Sequence, residues 1–98
     1  MNASSVNSRM QCGNIQATTV SQNSYADVPV TFEPAFSKAP IVVISIYTNS
    51  TGAKDYGNID VVVVDGSVSA TGFTARFLAG PLDNGERVPS ANWIAMAV

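Results

Sequence analysis

The stretch "NIDVVVVDG", Asn58 to Gly66, sets four valines side by side. A β-branched run of this length, closed by Asp-Gly, reads as a single strand. Successive side chains of a strand point to opposite faces, so this strand has Ile59, Val61 and Val63 on one face and Val62 and Val64 on the other. Two further stretches share the property. "IVVISIY" puts Val42, Ile44 and Ile46 opposite Ile41, Val43 and Tyr47, and "ANWIAMAV" puts Trp93 and the alanines opposite Ile94, Met96 and Val98. A two-layer domain without helices covers one side of each sheet internally. The second apolar side predicts contact with another subunit, with Val43, Val62, Val64, Ile94 and Met96 as candidate interface residues.

The rest of the chain carries the same period. Val28, Val30 and Phe32 alternate with Pro29, Thr31 and Glu33, and Phe73, Ala75 and Phe77 alternate with Thr74 and Arg76. These strands have one apolar face and one that meets water. No useful length shows apolar residues at helical spacing. Six strands are expected, near residues 10–19, 24–33, 40–48, 58–65, 71–79 and 91–98, joined by stretches rich in Gly, Pro, Asn and Ser such as "NSTGAKDYGN" and "GPLDNGERVPS". That is the pattern of an all-β sandwich or barrel.

With 98 residues, the chain forms one domain with a modest core. Residues 1–9, "MNASSVNSR", read as a polar lead-in or a junction to an upstream shaft, and residues 10–98 as the domain. The lead-in lacks the apolar middle of a signal peptide. The five basic residues, Arg9, Lys38, Lys54, Arg76 and Arg87, are scattered and the net charge is −2, which argues against nucleic acid. No apolar run reaches membrane-spanning length. Cys12 is the single cysteine, so no disulfide forms within the chain, and a lone thiol in this setting is expected as a small packed residue.

Histidine is absent, which removes Ser-His-Asp and Cys-His arrangements and the usual zinc ligands. Asp83 with Glu86 and Asp60 with Asp65 are the available carboxylate pairs, and "DNGE" lacks the ligand spacing of a calcium loop. The expectation is a non-enzyme without metal or cofactor.

The run "VTFEPAFSKAPIVVISI", the later "NIDVVVVDGSVSATGF" and the closing "NWIAMAV" together resemble the H-type lectin domain, found in invertebrate agglutinins, in a slime-mould discoidin and at the tips of phage tail fibres. The resemblance runs from about Gln11 to the end of the chain. It implies a six-stranded antiparallel β-sandwich that assembles as a homotrimer, with sugar sites near the subunit boundaries and the start of the fourth strand beside the loop after the fifth. It also marks departures. The snail agglutinins pair a cysteine matching Cys12 with one at the position of Phe77, place a sugar-binding arginine at the position of Asp60, and use a tryptophan and histidine where this chain has Gly80 and Pro81.

A retained fold with a replaced ligand set implies a different sugar specificity. The candidate ligand residues are Tyr56 for stacking and Asn58, Asp60, Asn84, Glu86 and Arg87 for hydrogen bonds to hydroxyls. The expected function is a receptor-binding tip domain of a phage or prophage tail fibre, located in the virion, whose partners are two further copies of itself and a host cell-surface glycan. A non-binding structural cap that closes a fibre or baseplate part is the alternative, and a free agglutinin ranks third.

Overall fold

A computed structural model describes residues 10–48, 58–81 and 86–98. Among the described residues there is no helix. The strands are β1 (Met10–Gln16), β2 (Val20–Ser21), β3 (Tyr25–Thr31), β4 (Ile41–Thr48), β5 (Ile59–Val63), β6 (Gly72–Ala79), β7 (Glu86–Arg87) and β8 (Ser90–Met96). Two three-stranded sheets, ordered β1-β8-β4 and β3-β6-β5, form the layers, and the short β2 and β7 pair as a separate ribbon. Every pairing is antiparallel. All six expected strands are present. The first is shorter than expected, because the chain leaves the sheet after Gln16 and resumes as β2, which pairs with a segment that reads as plain loop in sequence.

Register fixes which side chains share the core. In the first sheet Gly13, Trp93 and Ile44 lie in one row and Ile15, Ala91 and Ile46 in the next. In the second, Ala26, Phe77 and Val61 form one row and Val28, Ala75 and Val63 another. These inward rows belong to a single apolar cluster drawn from both sheets, so the layers pack face to face. The segment after β3 folds back over one end: the Phe32 and Phe36 N–H groups donate to the carbonyls of Thr71 and Ala70. Their rings thereby enter the core, where Phe32, Phe73 and Trp93 meet with centroids 5.6–5.8 Å apart. Phe73, Phe77 and Trp93 are all buried.

Two glycines are set by space. A Cβ on Gly13 would stand 3.0 Å from Trp93 Nε1, so the indole occupies the volume that a side chain on β1 would take. A Cβ on Gly72 would overlap the Val30 carbonyl oxygen of the neighbouring strand. Gly66 is glycine for a different reason, a positive φ of 78°. Gly66 sits in the turn closed by the Ser67 N–H donating to the Val64 carbonyl at 3.0 Å.

The expectation of a packed Cys12 is overturned: the thiol is exposed. Strand parity is the reason. Gln11, Gly13 and Ile15 take the inward positions of β1, which leaves Cys12 on the outer face opposite Ile94. Phe77 is fully buried in the other sheet, so this pair of positions faces different environments and does not match a bridged pair.

Candidate functional site

Three chain segments converge at one end of the β3-β6-β5 sheet. The Asn23 N–H donates to the Gly80 carbonyl at 3.0 Å, the Gly80 N–H donates to the Asn58 carbonyl at 2.8 Å, and the Ala79 N–H donates to the Ser24 carbonyl at 2.9 Å. Asn23 turns the chain with φ of 57°, a conformation that Asn tolerates better than most residues. The start of β5 therefore lies beside Gly80, which follows β6, within one chain. The rim so formed carries Asn23, Ser24 and Asn58, all exposed.

The remaining ligand candidates fall in different places. Asp60 is exposed on the outer face of β5, with Oδ1 accepting the Val61 N–H at 2.8 Å. Tyr56 and Asn84 lie outside the described residues, and Glu86 is described through its backbone pairing with Ser21. Arg87, expected at an accessible rim, is 1% exposed. Its neighbours explain this: β7 pairs with β2, placing Arg87 opposite the equally buried Val20. A side chain so enclosed in the single chain offers no surface to a ligand.

The two outer faces differ in character. Across β1, β8 and β4, Met10, Met96 and Ile41 form one row, Cys12, Ile94 and Val43 the next, and Asn14, Asn92 and Ser45 a third. Its outward positions carry no charged side chain, and Ile41 and Val43 are each 55% exposed. In the polar row Asn14 Nδ2 donates to Asn92 Oδ1 at 2.9 Å. The opposite outer face, on β3, β6 and β5, aligns Tyr25, Leu78 and Asp60 in one row and Asp27, Arg76 and Val62 in the next. The five interface candidates are thus divided: Val43, Ile94 and Met96 lie on the uncharged face, and Val62 lies on the other, with Val64 just beyond the end of β5.

Sequence reading did not single out the charged cluster on this second face. Arg76 donates from Nε to Asp27 Oδ1 at 2.7 Å and from Nη2 to Oδ2 at 3.0 Å, a two-pronged pair. Its guanidinium carbon lies 4.3 Å from the centroid of the Tyr25 ring. The hydrogen bonds from Arg76 hold the Asp27 carboxyl below its ordinary pKa, with partial burial opposing and the Arg76 charge assisting. The same bonds from the other side raise Arg76. Alternation placed Arg76 on a solvent face, but its meeting with Tyr25 and Asp27 depends on a register between segments 49 residues apart.

The described residues contain no cluster of His, Cys, Asp and Glu that could hold a metal ion, and no helix long and apolar enough to cross a membrane. What they offer is hydrogen-bonding groups, two exposed tyrosines, Tyr25 and Tyr47, and open sheet faces.

No protein-family model matches the chain, and no curated protein sequence does. Solved structures match in fold. An N-truncated R1-type pyocin tail fibre superposes with a TM-score of 0.69 at 20% identity, over 91% of this chain and 70% of that one. The tailspike gp49 from Pseudomonas phage LKA1 gives 0.60 at 28% identity, over 89% of this chain and 15% of that one. The gp54 tailspike of Acinetobacter baumannii bacteriophage AP22, solved in complex with A. baumannii capsular saccharide, gives 0.64 at 15% identity, over 91% of this chain and 17% of that one. The chain spans less than a fifth of each tailspike and shares the fold of a domain within these phage and pyocin proteins.

Proposed function

We propose that this domain is a receptor-binding tip of a phage or prophage tail fibre, of the H-type lectin kind, that recognises a host cell-surface glycan as a homotrimer. The observation that supports the reading is the fold likeness to an N-truncated R1-type pyocin tail fibre, of which the chain spans 70%. The AP22 tailspike, solved with a capsular saccharide, supports a glycan as the class of ligand. The proposed site is the rim of Asn58 with the adjoining Asp60, to which Tyr56, Asn84 and Glu86 are assigned from sequence. Arg87 is left out because it is buried.

The uncharged face with Val43, Ile94 and Met96 is the proposed trimer contact. Interface centres are depleted of charge and enriched in Met and large apolar groups, a description this face fits and the Asp27-Arg76 face does not. Individually weak sites repeated three times then act together on a cell surface. We read the domain as a binder rather than an enzyme.

A structural cap is the second reading, favoured by the burial of Arg87, which removes one of six expected ligand groups. A glycan array printed with bacterial capsular and O-chain saccharides separates the two. A binder gives saturable signal on particular glycans that falls in Asn58→Ala and Asp60→Ala; a cap gives none.

A further inference from the structure

We infer that the outer face of the β3-β6-β5 sheet carries a saccharide subsite built on Tyr25, Asp27 and Arg76, selective for a neutral pyranose. The inference rests on the glycan-binding reading above and places a contact at residues outside the rim.

Tyr25 is 57% exposed at the start of β3, with the exposed Leu78 directly across from it on β6. One face of the ring lies against Arg76, and the C–H face of a pyranose is a matching surface for the other. The ring is also held in place. Arg76 lies against it with the guanidinium carbon 4.3 Å from the centroid, and Arg76 is in turn fixed by both oxygens of Asp27. A fixed platform loses little side-chain freedom on binding.

The same pair supplies polar contacts. A guanidinium has five N–H donors and a carboxylate about four acceptor positions, and the Asp27-Arg76 pair uses two of each. Donors and acceptors therefore stand together beside the ring, as adjacent sugar hydroxyls require. Two strand spacings away, about 10 Å, Asp60 ends the Tyr25-Leu78 row, and its second oxygen adds an acceptor at the other edge of the sheet. That span fits a disaccharide better than a single ring.

Charge selects the ligand. Asp27 and Arg76 cancel each other, and Asp60 adds a negative charge to the face, so an acidic sugar meets repulsion and no unmatched cation. The absence of charge from the opposite sheet's outer face makes that face the natural one to be covered by another copy, leaving this one to solvent and ligand.

The test is an array carrying neutral and acidic bacterial surface glycans, probed with the full chain as wild type, Tyr25→Ala, Tyr25→Phe and Asn58→Ala, each checked for native fold by its amide NMR spectrum. The expected result is binding of wild type to neutral glycans, a loss of about tenfold or more in Tyr25→Ala, and retention in Tyr25→Phe, which keeps the ring. Binding undiminished in Tyr25→Ala overturns the subsite while leaving the domain a glycan binder with its site at the rim. Binding confined to acidic glycans overturns the neutral assignment. Absence of binding to every glycan by wild type overturns the subsite together with the reading it rests on.

Discussion

Cys12 and Ile94 stand directly opposite each other across β1 and β8, both on the outer side of the sheet, and Val43 on β4 completes their row. The row lies beside Met10, Met96 and Ile41, so the outer face has a continuous apolar area at one end, bordered by the Asn14, Asn92 and Ser45 row. Exposed apolar surface in one contiguous patch is the mark of an interaction face.

If this face is the trimer contact, a carboxylate placed in it must be buried without a partner, at a cost of about 2 kcal/mol or more per site. Ile94→Asp and Val43→Asp are expected to give monomers by light scattering coupled to size exclusion, while wild type runs as a trimer. Val62→Asp, on the opposite face beside Arg76, is expected to stay trimeric. Dissociation by Val62→Asp but not by Ile94→Asp would move the contact to the other sheet.

Thiol labelling reports the same face from a different direction. Cys12 is exposed in the single chain, so a monomeric Ile94→Asp variant should react with a thiol reagent without unfolding. In the trimer the thiol should be protected, becoming reactive as the protein is diluted toward dissociation. Equal and fast labelling of both would take Cys12 out of the contact.

The phase of a strand was legible where apolar and polar residues alternate, and hidden where inward positions are not apolar. Phe73, Ala75 and Phe77 announce their side, as do Val28 and Val30. In β1 the inward residues are Gln11, Gly13 and Ile15. Gln11 points in to bind the turn after β3, donating from Nε2 to the Pro34 carbonyl at 2.6 Å and accepting the Glu33 N–H at 3.1 Å. Gly13 is there because Trp93 fills its place. Neither reason can be read from neighbours in sequence, and so Cys12 was assigned to the wrong side. Arg87 was misplaced because a two-residue ribbon leaves no period to detect. The Tyr25, Asp27 and Arg76 cluster needed the β3-β6 register.

Gly72 should tolerate no side chain, because the atom its Cβ would meet is a backbone carbonyl, Val30 O, which cannot swing aside as a side chain can. Gly72→Ala is expected to lose about 2 kcal/mol or more in denaturant unfolding. A substitution within a few tenths of a kcal/mol of wild type would mean that β3 and β6 separate more easily than this register allows.

The Asp27-Arg76 pair gives a pH dependence whose sign is fixed. Asp27 has a lowered pKa in the folded chain, so its contribution is complete above the unfolded-state value of about 3.9 and is lost as pH falls through the lower folded value. Both side chains are about a third exposed, and the effect is correspondingly small. Thermal unfolding of wild type and Asp27→Asn should differ near neutral pH and converge as the pH falls below the folded-state value. A difference that grew on acidification would contradict the assignment.

Recognition of a host surface glycan is tested most directly by binding of the labelled wild-type chain to intact candidate host cells, with the same cells after periodate oxidation of their surface sugars as the control. Saturable binding to untreated cells of at least one host is expected, with its loss on oxidised cells. Binding that survives oxidation, or no binding to any host, would contradict it.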